Sequence, residues 1–224
     1  MNPIQAAAIN AEEGRDHSFL RRLMNPTVDR SIAIVAILPI LWAAYFRYAH
    51  FGLNPPVFYY WVNTFVVVLT MVFRRPPKRI TPNPWFWLIA FVNTYFPQAM
   101  LPFLDRGHPL VSPQLSNLLA IGALLFSIWA RLSLGRNMGF VPAQREIVTT
   151  GAYRYMRHPI YTGLMLSYLA AALRIYSPRN ATLFAIAVFW MLVKSFVEES
   201  FLREDAQYAD YMTNVRARWI PFVF

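Results

Sequence analysis

Six apolar segments, at 31–51, 57–73, 85–104, 114–132, 159–176 and 181–197, constrain the fold of this 224-residue chain more than any other feature. A helix crossing a ~30 Å hydrocarbon core needs about 20 residues. The first, third and fourth segments reach that length, and the others lie near its lower limit. The last two are joined only by Ser177, Pro178, Arg179 and Asn180, which reads as a tight antiparallel hairpin. Charged residues make up 14% of the chain, where a soluble domain carries roughly 25%. These features predict an all-α polytopic membrane protein with about six transmembrane segments. The chain divides into an amphipathic stretch at 1–30, four helices over 31–132, and a C-terminal region at 133–224 built around the hairpin 159–197.

The formal net charge is +10, and its distribution predicts orientation. Arg15, Arg21, Arg22 and Arg30 precede the first segment. Arg74, Arg75, Lys78 and Arg79 follow the second, and Arg136, Arg145, Arg154 and Arg157 follow the fourth. The alternate connections hold only Arg106 and Arg179. The positive-inside rule then puts both termini and the 135–158 loop in the cytoplasm. A bacterial plasma membrane is expected, or the endoplasmic reticulum in a eukaryotic cell. No secretory signal is read, because a polar stretch precedes the first apolar run and no small-residue cleavage site follows it. The chain has no cysteine, and His17, His50 and His108 are scattered, so no metal site is expected. No nucleic-acid-binding signature accompanies the basic charge. Two amphipathic stretches, 17–24 and 204–219, are expected at the membrane interface, the second with Tyr208, Tyr211, Val215 and Trp219 at helical spacing. The 74–84 loop, rich in proline and basic residues, reads as a cytoplasmic connector.

Two constellations carry chemistry. In Arg157-His158-Pro159, proline marks a helix start. A helix N-terminus beside an arginine suits a carboxylate or phosphate, although a plain helix entry or lipid-headgroup contact reads equally well. Lys194, Glu198 and Glu199 close the sixth segment, where carboxylates face the unfavourable end of the helix dipole. An intrahelical Lys194–Glu198 pair is one explanation. The other is that Glu198 meets an amine-bearing ligand near His158, across the hairpin mouth.

The ordered set Ile147-Val148-Thr149-Thr150-Gly151-Ala152-Tyr153, Arg157-His158-Pro159-x-Tyr161-x-Gly163, Glu198-Glu199-x-x-Leu202, Tyr208-x-x-Tyr211 and Ile220-Pro221 resembles the isoprenylcysteine carboxyl methyltransferase family. The related phospholipid methyltransferases share a looser version. The resemblance covers about 134–221. It implies an integral membrane enzyme moving a methyl group from S-adenosylmethionine to a lipophilic small molecule or lipidated substrate drawn from the bilayer. Carried over by motif, Arg145, Glu146, Ile147 and Val148 would lie beside the adenosine. Tyr153, Arg157, His158, Pro159 and Tyr161 would make further cofactor contacts, and Glu198 would close the pocket. Lys194, Glu199 and Tyr161 are the catalytic candidates. The family places an arginine, assigned to the substrate, four residues before this glutamate. Lys194 keeps that charge and lacks the bidentate fork. The acceptor is left open between an isoprenylcysteine-like carboxylate and a phospholipid amine. An NADPH-dependent sterol-type reductase and a non-catalytic membrane protein are the readings from other classes. Oligomeric state is also left open.

Overall fold

The computed structural model describes residues 21–221 and 223. Its helices are α1 (Pro26–Phe51), α2 (Pro55–Val72), α3 (Pro84–Ala99), α4 (Pro113–Leu134), α5 (Pro159–Arg174), α6 (Pro178–Leu202) and α7 (Ala206–Asn214). The first six all begin on a proline. That position needs no N–H, and the ring presets φ for a helix. In five of them the preceding side chain also caps the helix: Asn25, Asn54, Asn83, Ser112 and Ser177 accept backbone N–H groups from the first turn.

Several boundaries differ from the sequence reading for local reasons. The Asn25–Pro26 cap starts α1 five residues before position 31. The third segment stops being α-helical at Ala99 and continues as a 3₁₀ turn at Leu101–Phe103, where Pro102 removes a donor. α6 runs on to Leu202, so Lys194, Glu198 and Glu199 lie within its last turns. The tail is helical only to Asn214, which leaves Val215 and Trp219 outside the helix. The 74–84 connector contains a short strand, β1 (Arg79–Ile80), antiparallel to β2 (Ala143–Gln144). Of the amphipathic stretch at 17–24, residues 17–20 lie outside the described part, and 21–23 are helical.

Among the described residues, four stretches are long and apolar enough to cross a membrane: Pro26–Phe51, Pro55–Val72, Pro113–Asn137 and Pro178–Leu202. α3 and α5 have 16 residues each, about 24 Å at 1.5 Å per residue. On α1, α2, α4 and α6, Leu38, Trp42, Phe65, Leu118, Leu125 and Phe189 turn outward. Apolar exposure on that scale fits a lipid-facing surface of an all-α polytopic membrane protein.

α4 and α5 form the most extensive helix contact. A Cβ at Gly163 would collide with Ser127, so the pair meets through small residues. α3 packs on α6 around Met100, Phe184 and Ala187. α1 packs on α2 around Ala33, Ala36, Ile37 and Met71, with Phe140 of the α4–α5 loop completing that cluster.

At one end of the bundle the start of α1 meets the end of α2. Arg74 donates to the Asp29 carboxylate at 2.7 and 2.8 Å, with both side chains buried. Arg75 N–H donates to the Arg136 carbonyl at 2.7 Å. Arg79–Glu204 and Gln144–Asp205 contacts then fasten the two-stranded ribbon to the end of α6. All of the polar machinery described below gathers at this end.

Candidate functional site

The loop between α4 and α5 enters the site through a tight turn at Gly151, whose φ is 60°. A side chain there would meet Ser133, and the Ser133 hydroxyl accepts the Ala152 N–H at 3.1 Å. The polypeptide after α7 then runs alongside the next part of this loop. Arg157 N–H donates to the Ala217 carbonyl at 3.0 Å and His158 N–H to the Arg218 carbonyl at 2.9 Å. The Thr162 hydroxyl donates to the Trp219 carbonyl at 2.5 Å, and Trp219 Nε1 to Ser195 Oγ at 3.2 Å. These bonds require an extended tail, which is why the helical spacing through Val215 and Trp219 does not become helix.

Glu199 is the knot that joins loop, hairpin and tail. Its Oε1 accepts from Arg157 Nε at 2.7 Å and His158 Nε2 at 2.9 Å. Its Oε2 accepts from Arg218 Nη2 at 2.7 Å, Arg218 Nε at 3.0 Å and Arg157 Nη2 at 3.3 Å. The residue is 3% exposed. Charge-assisted bonds of this kind make a buried ion pair tolerable, because they replace the lost water. Arg157 Nη1 donates to the carbonyls of Val215 and Arg216. All three guanidinium nitrogens of Arg157 are therefore engaged in bracing this cluster, and the residue also lines the cavity described next.

Glu198 has a different environment. It accepts the Tyr161 hydroxyl at 2.8 Å and lies 3.6 Å from Lys194 Nζ and 3.9 Å from His158 Nδ1. Because Nε2 of His158 points at Glu199, Nδ1 is the ring nitrogen on the Glu198 side. The His158 and Tyr161 rings stack at 5.3 Å with 3° between their planes. The hairpin thus brings Lys194, Glu198, His158 and Tyr161 together, as the sequence pattern anticipates. All four line a cavity of about 830 Å³, within the ~300–1,000 Å³ range of ligand sites.

Arg145, Glu146, Ile147, Val148 and Tyr153 also line this cavity. Arg145 is buried and donates to the Arg75 carbonyl at 2.9 Å, with Asp29 3.7 Å away. Burial lowers its pKa to about 10; neighbouring Arg74 acts in the same direction and Asp29 against it, so Arg145 stays charged at neutral pH. Glu146 is more exposed and pairs with Arg75. Burial raises the Tyr153 phenol well above its usual range, helped by Tyr211 and Glu198 and opposed by Arg131, which keeps it a neutral donor. Its carbonyl accepts the Tyr211 hydroxyl at 2.7 Å. Pro159 is fully buried and Glu199 is sealed in its own cluster; neither lines the cavity. Pro159 starts the helix, and Glu199 holds His158.

Three contributors escaped the sequence reading. Arg218 and Asp29 are partners of residues far along the chain, and no local spacing marks them. Arg131 lies in the fourth apolar segment and lines the cavity with Asn63. Its signal was available, since an arginine within a span is a functional candidate by default.

Residues 112–209 match the family model described as phospholipid methyltransferase. That region contains His158, Tyr161, Lys194, Glu198 and Glu199. The chain is 35% identical over 80 residues to protein-S-isoprenylcysteine O-methyltransferase A of Arabidopsis thaliana, covering 34% of this chain and 40% of the relative. It is 31% identical over 81 residues to protein-S-isoprenylcysteine O-methyltransferase B of the same plant, covering 35% and 41%. It is 30% identical over 84 residues to a probable protein-S-isoprenylcysteine O-methyltransferase of Oryza sativa subsp. indica, covering 36% and 43%. The chain thus spans about two-fifths of the length of the curated relatives it matches.

Proposed function

We propose that the chain is, through its C-terminal part, a member of the isoprenylcysteine carboxyl methyltransferase family and that it transfers a methyl group from S-adenosylmethionine to a lipophilic acceptor. The observation that carries this reading is the Glu198–Tyr161–His158 group on the cavity wall, inside the matched region. The donor set suits the cofactor. Glu198 accepts one hydrogen bond, keeps 19% of its side chain exposed, and has lone pairs free for an ammonium. Tyr161 and Tyr153 offer aromatic faces of the kind that stabilise a sulfonium. The strip 145–148 provides backbone and apolar surface for the adenosine. S-adenosylmethionine, when bound, supplies an activated methyl group.

The chain's own residues then position rather than react. Glu199 fixes His158, His158 stacks on Tyr161, and Tyr161 orients Glu198. Holding reactants in line supplies much of the rate of a displacement reaction. Lys194 stands on the cavity wall beside Glu198 as the catalytic candidate that faces the acceptor, and Tyr161 is the nearest hydroxyl. The acceptor enters from the bilayer, and the polar end of the bundle faces the cytoplasm, as the arginine-rich loops favour. Region 133–224 forms the cofactor-binding part.

Binding of S-adenosylhomocysteine to protein purified in uncharged detergent tests this reading by calorimetry. Glu198→Gln should weaken it about 10-fold or more while the protein stays folded, because a charge-assisted bond is lost. His158→Ala should weaken it similarly. Wild-type affinity in both variants would overturn the assignment of the site, and stabilisation by NADPH in place of S-adenosylhomocysteine would favour a reductase.

A further inference from the structure

Five Lys and Arg side chains are buried among the described residues: Arg74, Arg131, Arg145, Arg157 and Lys194. Four have carboxylate partners, with Arg74 and Arg145 at Asp29, Arg157 at Glu199 and Lys194 at Glu198. Arg131 is the exception among the described residues. It is 3% exposed, on the last turn of α4. Its Nη2 donates to Asn63 Oδ1 at 3.3 Å, while Nε and Nη1 have no partner. A buried cation without a counter-charge is costly and is kept where a ligand or ion completes it.

Arg131 and Asn63 both line the large cavity. Ser116, Ala120 and Leu124 line it from the same helix. At 1.5 Å per residue, positions 116 to 131 cover about 22 Å of a ~30 Å hydrocarbon core. Leu164, Phe184 and Met191 add apolar wall from α5 and α6. The cavity therefore joins the buried guanidinium of Arg131 to a long, largely apolar trough, whose wall also carries Arg47, a part-buried guanidinium over the Tyr60 ring with its Nε unpartnered.

We propose that Arg131, oriented by Asn63, is an anion-binding subsite that takes the carboxylate or phosphate of a molecule whose apolar chain lies in this trough. That this molecule is the methyl acceptor rests on the methyltransferase reading; the binding itself does not. Lys194 is a poorer candidate for this anion because Glu198 already neutralises it.

The test uses the whole chain in uncharged detergent, titrated with oleate, monooleyl phosphate, oleamide and inorganic phosphate. Oleate or monooleyl phosphate should bind about 10-fold or more tightly than oleamide. Arg131→Gln should abolish that preference, while Arg131→Lys should retain part of it. Far-UV circular dichroism and a cooperative thermal transition show that Arg131→Gln is folded. Should that variant fail to fold, the wild-type preference and its weakening in Asn63→Ala decide. Equal affinities of oleate, monooleyl phosphate and oleamide for the wild type would overturn the proposal. So would a preference that persists in Arg131→Gln, or inorganic phosphate binding as tightly as monooleyl phosphate. A wild-type protein that binds oleate through Arg131 but not S-adenosylhomocysteine would remove the methyltransferase reading and leave this subsite standing.

Discussion

Glu198 and Glu199 are adjacent in sequence and face opposite tasks. Glu199 receives five N–H bonds from Arg157, His158 and Arg218. Glu198 receives one, from Tyr161, and looks into the cavity. Removing one partner of a buried ion cluster costs about 3–5 kcal/mol, because the others are left uncompensated. Glu199→Ala should therefore lower the melting temperature in detergent by about 6–20 °C. Glu198→Gln, at the cavity wall, should shift it by less than about 2 °C. A thermal unfolding series on the two variants checks this contrast, and equal shifts would refute it. The motif made both glutamates and His158 conspicuous in the sequence. Their division of labour was not legible there, because it depends on Arg218, which reaches Glu199 only through the fold.

The helices are placed by their ends and joined by their small residues. Apolar runs made the elements readable; of the six proline starts only Pro159 was read as one, and the other five helices begin at prolines one to five residues upstream of the apolar runs. The closeness of α4 and α5 is set at Gly163, which meets Ser127. Gly163→Val would force these helices apart and should lower stability by about 1–3 kcal/mol, as overpacking does. Unchanged thermal unfolding would argue against this contact. The connecting loops offer a sharper comparison. Gly135 and Gly151 both have φ near 60°, but a side chain at Gly135 meets open space whereas one at Gly151 meets Ser133. Both alanine variants carry backbone strain of roughly 1–3 kcal/mol. Gly151→Ala adds a collision at the hydroxyl that holds Ala152, so it should be the more destabilising of the two. Equal denaturation midpoints would sink that argument.

In the molecule as a whole, the residues after α7 close the polar end of the bundle. Backbone and side-chain bonds tie 215–219 to Arg157, His158, Thr162 and Ser195. Ending the chain at Asn214 should leave far-UV helicity nearly intact, because the membrane helices satisfy their own backbones. It should free the 145–158 loop to proteolysis and abolish S-adenosylhomocysteine binding. Undiminished protease resistance of that loop would contradict the role given to the tail.

The sequence by itself determined that the chain is helical and membrane-embedded. It also located the hairpin, because apolar runs and proline starts are local signals set by desolvation and backbone sterics. The same local signals set the Lys194–Glu198 spacing and the position of His158 at a helix entry. Only the tertiary structure decided which charges are neutralised and which remain free. Arg157 is consumed by Glu199, Asp29 serves Arg74 and Arg145, and Arg131 is left without a carboxylate. Those pairings join residues tens of positions apart, and in a low-dielectric interior the identity of the nearest opposite charge governs what each group can do.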